Sequence, residues 1–217
     1  ILGINIGPNK ETKNQKNDFC EGLKNFFNLA DYITVNISSP NTENLRDFHG
    51  EEKLEDLLLT LNTIKKEKKT NIPILLKVSP DIERQNISKI VEASLANGIS
   101  AIILTNTTNN NRENLLSHSK KETGGLSGEP LQKISTDMIK FFYKELKGKI
   151  PIIGVGGINS GKSAYEKILA GASLLQLYTG FVYEGPFLIK NIKKELIQIL
   201  KTEGVNSIND IIGKGIS

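Results

Sequence analysis

Cysteine, tryptophan, histidine and methionine are nearly missing from this 217-residue chain, which has one Cys, no Trp, two His and one Met. A lone Cys20 excludes an internal disulfide framework and any multi-cysteine metal site. His49 and His118 have no Cys, His or Asp cluster beside them, so each reads as a loop residue and no metal is expected. Long apolar runs are missing too. None approaches the ~20 residues that a membrane helix needs, and no signal peptide is recognisable, so the chain by itself reads as soluble. Charge imbalance is slight, with a formal net of +4. The excess lysines, as in KKEKK at 65–69, are scattered over helix surfaces without an aromatic stripe. Nucleic acid is therefore not an expected partner.

What is present is a strict alternation. Short, nearly continuous Ile/Leu/Val runs at 2–6, 32–37, 74–78, 101–105, 152–155 and 174–178 fit parallel strands buried on both faces. Between them, apolar residues recur every three to four positions, as in Leu54, Leu57, Leu58, Leu61 and Ile64, or Ile134, Met138, Ile139, Phe142 and Leu146. Phe19, Cys20 and Met138 read as core packing. Gly98 and Gly171 sit where helices end before strands, as C-terminal caps do. Such a repeat forms either an open doubly wound sheet or a barrel. Every strand run ends in polar or glycine residues at its C-terminal side, as in Asn36, Ser38, Ser39 and Asn41, or Thr105, Asn106 and Thr107. A (βα)8 barrel gathers all of those ends around one pocket, so the α/β (βα)8 TIM barrel is the expected fold, with residues 1–217 as one domain.

Two glycine-rich loops close the series. GVGGINSG leads into a helix from Lys162 and YTGF follows the next strand, so their backbone N–H groups would lie side by side. The loops after barrel strands seven and eight form a phosphate site in many such enzymes, and a phosphate-bearing cofactor is the expected ligand, against the alternative of tight turns alone. If these are strands seven and eight, about six of the eight βα units are present. The chain opens on ILGINIG, already strand-like, and the expectation is a fragment of a longer enzyme whose first strands lie upstream.

Lys77 ends the apolar run PILLKV, so its ammonium enters either the pocket, where it needs an anionic partner, or solvent by snorkelling. Asn36, Asn41 and Asn106 can each donate and accept, which suits a flat ligand with alternating C=O and N–H groups, although asparagine also favours turns. Asp81 reads as a helix-start residue. No His or Glu stands at a strand end as a base. Ser39 is the candidate, through Thr42 or a water, since a serine hydroxyl is weak at its ordinary pKa.

The segments ADYITVNISSPNTENLRD, ILLKVSPD, LTNTT, ETGGLSGEPL, PIIGVGGINSG and AGASLLQLYTGFVYEGP together resemble dihydroorotate dehydrogenase, in its class 2, quinone-linked branch. The resemblance runs from Leu2 to about Gly213 with the motifs in order. It implies an FMN-containing barrel that oxidises dihydroorotate to orotate in pyrimidine synthesis and passes the electrons to ubiquinone or another quinone. Class 2 enzymes use serine as base, so the resemblance makes Ser39 the base and Thr42 its relay. It places Asn36, Asn41, Asn106 and Thr107 on the substrate. It places Asn5, Asn36, Lys77, Thr105, Gly128, Gly157, Tyr178 and Thr179 on FMN, the last three near its phosphate. The family reads Thr-Pro-Gly-Leu where this chain has Thr42, Glu43, Asn44 and Leu45, a departure in the loop that would act as lid. The resemblance also implies peripheral membrane association through an N-terminal region not found in this chain, at the bacterial or mitochondrial inner membrane. A dihydrouridine-synthase-like FMN barrel and a non-catalytic flavin- or phosphate-binding module are the rival readings.

Overall fold

A computed structural model describes residues 1–39, 45, 48, 50–110, 112, 113 and 115–216. All six expected strands form: β1 (Gly3–Ile6), β2 (Tyr32–Asn36), β3 (Ile74–Val78), β4 (Ala101–Leu104), β5 (Ile152–Val155) and β6 (Leu174–Gln176). Between and after them come the helices α1 (Gln15–Phe26), α2 (Glu51–Glu67), α3 (Ile87–Ala96), α4 (Gln132–Leu146), α5 (Gly161–Leu169), α6 (Thr179–Glu184) and α7 (Leu188–Thr202).

The strand order is β1-β2-β3-β4-β5-β6, every neighbour parallel. A doubly wound sheet would reverse its order at a switch point, and this one does not. Sequential parallel order is the wall of a (βα)8 barrel, here six units of it. The outward side chains Ile33, Val35, Ile74, Leu76, Val78, Ile102 and Leu104 meet α1 to α4 in one continuous core, which includes Phe19, Cys20 and Met138 as expected. The inward positions carry a smaller cluster of Leu75, Ala101, Ile103 and Ile153, with Tyr32 and Val155 packed against it. The strand period of two thus separates a helix-facing side from a barrel-facing side.

Local signals account for the helix ends. Asn14 accepts from the Asn17 N–H at the start of α1, and Ser160 and Ser163 form a reciprocal capping box at α5. Gly98 and Gly171 end their helices with φ of +69° and +116°. Buried Leu188, Ile192 and Leu196 repeat every four residues and seat α7 on α5. Among the described residues no helix is long and apolar enough to cross a membrane.

One element was not expected. YTGF, read as a loop, contains the first turn of α6. Asp81 also departs from its expected role. Its carboxylate accepts from the Thr108 hydroxyl and the Asn109 N–H, tying the β3 exit to the β4 exit instead of capping a helix.

Candidate functional site

The strand register sets the site. Asn36 on β2 lies beside Lys77 on β3, and Lys77 lies beside Ile103 on β4. Lys77 shares its face of β3 with Leu75 of the barrel-facing cluster, so its side chain rises into the mouth of the barrel. There it lines a cleft of about 330 Å³ together with Thr105, Asn106 and Thr107 from the β4 exit. Gly128, Gly157, Tyr178 and Thr179 form the other end of the same cleft. Burial pushes the Lys77 ammonium below the usual lysine pKa, and no carboxylate pairs with it among the described residues. A cation desolvated without a counter-charge is unfavourable, and an anionic ligand in the cleft would relieve it.

The far end is built from backbone. Gly128 and Gly157 have φ of +78° and +71°, a region that side chains disfavour. A Cβ on Gly157 would come within 2.7 Å of Gln132 Cα, and one on Gly180 within 2.5 Å of the Ile158 carbonyl oxygen. The first N–H groups of α6 begin beside this turn, and the Thr179 hydroxyl donates to Ser127 Oγ at 2.9 Å. The start of α5, expected to complement an anion, is already engaged by the chain itself. The Ser160 hydroxyl takes the Ser163 N–H, and the Glu195 carboxylate takes the Gly161 N–H. Any anion here therefore meets the turn at Gly156 and Gly157 and the start of α6.

Behind that turn, Lys167 of α5 is fully buried and donates to Ser135 Oγ at 2.9 Å and Thr136 Oγ1 at 3.1 Å. Ser135 in turn donates to the carbonyl of Val155, the residue before the turn. Burial lowers the Lys167 pKa to about 8, against the raising effect of Glu166 and Asp137. A second cleft of about 680 Å³ continues from Gly128 and Gly157 to Arg112. The Arg112 guanidinium donates to the carbonyls of Lys120, Glu122 and Gly124 and so closes that loop on itself.

At the near end, side chains replace backbone. Asn36 Oδ1 accepts from the Ser38 hydroxyl at 2.7 Å, the Ser38 N–H at 3.2 Å and Asn106 Nδ2 at 3.3 Å. Asn106 Nδ2 also donates to Ser38 Oγ at 3.0 Å, and Asn106 Oδ1 accepts from the Thr107 N–H at 2.8 Å. Two strand exits 70 positions apart are thereby joined.

Of the predicted site residues, Lys77, Thr105, Asn106, Thr107, Gly128, Gly157, Tyr178 and Thr179 line one cleft, and Asn36 adjoins it through Asn106. Ser39 follows directly, half-buried. Asn5 is exposed on the end strand β1 and does not line the cleft. Asn41 and Thr42, like His49, lie outside the described residues. Sequence reasoning assigned no role to Ser38, Ser127, Arg112 or Lys167. For Ser38 a signal existed: in an extended strand, residues two apart share a face, so Asn36 and Ser38 were placed to meet.

The family model described as dihydroorotate dehydrogenase matches residues 1–200. The chain is 42% identical over 98% of its length to the mitochondrial dihydroorotate dehydrogenase (quinone) of Arabidopsis thaliana, covering 47% of that protein. It is 46% identical over 91% of its length to the dihydroorotate dehydrogenase (quinone) of Christiangramia forsetii, covering 58% of it. Its fold matches the DHODH of Eimeria tenella crystallised with ferulenol, with a TM-score of 0.94 and 36% identity, over 99% of this chain and 61% of that one. The chain thus spans about half to three-fifths of the length of these relatives.

Proposed function

The chain belongs to the dihydroorotate dehydrogenase family, and on that premise we propose that its protein oxidises (S)-dihydroorotate to orotate, with FMN as cofactor and a quinone as electron acceptor, in pyrimidine biosynthesis. The observation that carries this is the two-ended cleft, with a half-buried Lys77 ammonium that has no carboxylate partner among the described residues at one end and a glycine turn at the other.

The residues fit FMN on their own chemistry. Lys77 offers a cation to the electron-rich edge of a flavin ring, and Thr105 flanks it. Gly128 and Gly157, at positive φ where a Cβ would meet Thr179 and Gln132, and the start of α6 at Thr179 offer close backbone approach and N–H donors to a phosphate. When bound, FMN supplies the two-electron acceptor for the reaction. Everything else falls to the protein. Asn36, Asn106, Thr107 and Asn41 hold the pyrimidine ring and its carboxylate in one orientation. Ser39 Oγ takes the proton from C5 of dihydroorotate, and because a hydroxyl is a weak base the proton moves on through Thr42 or a water. A quinone acceptor brings the working protein to a membrane, the bacterial or mitochondrial inner membrane, by peripheral association. The exposed apolar side chains of Phe181, Val182 and Tyr183 on α6, next to the cleft, support an apolar acceptor.

Ser39→Ala tests the assignment. Loss of a positioned base should lower dihydroorotate oxidation by about 10²–10⁴-fold. FMN binding should stay intact. Equal loss of oxidation and FMN binding would make Ser39 a structural residue, and unchanged oxidation would remove it from the chemistry.

A further inference from the structure

The geometry points to Ser38 as the positioning residue that fixes the polarity of both carboxamides, so that Asn36 meets the substrate as a donor and Asn106 as an acceptor. This rests on the reading of the cleft as a dihydroorotate site. It adds which atoms do the reading and what aims them.

A carboxamide can be rotated by half a turn with little change of shape, so its orientation is set by its partners. Two partners here can only donate, because they are backbone N–H groups. The Thr107 N–H points at Asn106 and favours its Oδ1 on that side, which turns Nδ2 toward β2. The Ser38 N–H points at Asn36 and favours Oδ1 there as well, a preference the shorter bond from the Ser38 hydroxyl secures. Between the two amides sits the Ser38 hydroxyl, which is fully buried, donates to Asn36 Oδ1 and accepts from Asn106 Nδ2. A hydroxyl is the group that can do both at once. The second proton of Asn106 Nδ2 goes to Asn36 Oδ1. Asn36 is then left with its Nδ2 donors, and Asn106 with a lone pair on Oδ1. A donor beside an acceptor matches one C=O and one N–H of a cyclic ureide, and rejects a ring whose nitrogen carries a methyl group. Ser38 itself touches no ligand, being buried behind both amides.

The test uses the full-length protein loaded with its flavin, comparing wild type, Ser38→Ala and Ser38→Cys for binding of orotate and of its 1-methyl and 3-methyl derivatives. Wild type should prefer orotate to at least one methyl derivative, and Ser38→Ala should narrow that preference by about tenfold, as loss of one aligned polar partner implies. Cysteine, a poorer donor of similar shape, should fall between. An equal loss of affinity for all three ligands would overturn the proposal in favour of plain packing, as would no change. Should wild type bind no orotate, the functional reading fails, and the Ser38 assignment is still decided by side-chain amide hydrogen exchange of asparagine-labelled, ligand-free protein. There the Asn106 NH₂ should be protected, the Asn36 NH₂ fast, and Ser38→Ala should release Asn106. Equal exchange of the two amides in wild type would overturn it.

Discussion

The two ends of the cleft are built by opposite means. At the β2–β4 corner the wall is made of side chains, Lys77, Asn36 and Asn106, the two amides joined by a buried hydroxyl. At the β5–β6 corner the wall is backbone, with Gly128 and Gly157 at positive φ and little room for a side chain. The first end can read a flat ring with mixed donors and acceptors. The second can close around a compact anion. A cofactor with a heterocycle at one end and a phosphate at the other would use both, and substitutions should separate the two contributions.

The largest effect is expected at Gly157. Alanine there meets both a φ of +71° and the Gln132 backbone, so the turn must shift. With two charge-assisted hydrogen bonds of about 1.5–3 kcal/mol each at stake, FMN affinity should fall by about 100-fold or more. Riboflavin, which has no phosphate, should bind Gly157→Ala about as it binds wild type, as titration of flavin fluorescence would show. Lys77→Met comes next. It removes the ring-end charge and should weaken FMN and riboflavin alike by about tenfold, the value of one charge-assisted contact. A loss confined to FMN would place Lys77 at the phosphate instead.

A different effect, on stability and not on flavin binding, belongs to Lys167. Its pKa is about 8 in the folded protein against 10.5 for an ordinary lysine, so between these values the unfolded chain holds more protons. Lys167 therefore lowers stability below pH 8 and ceases to do so as pH rises toward 10.5, a swing on the order of 3 kcal/mol. Denaturant titrations of wild type and Lys167→Met across pH 7 to 10 should show wild type gaining on the variant with pH. Parallel curves would mean that the ammonium is better solvated than its burial implies. The smallest effect is expected for Thr179→Val, which loses the bond to Ser127 and should cost FMN only a few-fold.

The two ends were not equally legible in the sequence. Six Ile/Leu/Val runs, each closed by polar residues, marked the strands and the rim because parallel strands are apolar on both faces and functional at one end. Lys77 stood out as a charge ending such a run. Gly128 and Gly157 were visible as glycines, but what they avoid, the Gln132 backbone and the Thr179 side chain, is set by tertiary approach. The six residues of α6 were too few to show a period. The polarity of the asparagines was hidden for a physical reason: it is set jointly by the Ser38 hydroxyl and the Ser38 and Thr107 N–H groups, from two strand exits 70 positions apart. Asp81 was misread for the same reason, since its partners Thr108 and Asn109 lie on another strand's exit.

The most direct test of the two-ended cleft is the affinity of the wild-type, full-length protein for FMN against riboflavin, measured under identical conditions. A cleft whose glycine end grips a phosphate should prefer FMN by about 100-fold or more. Equal affinities would contradict the account, leaving the glycine end a turn and no more.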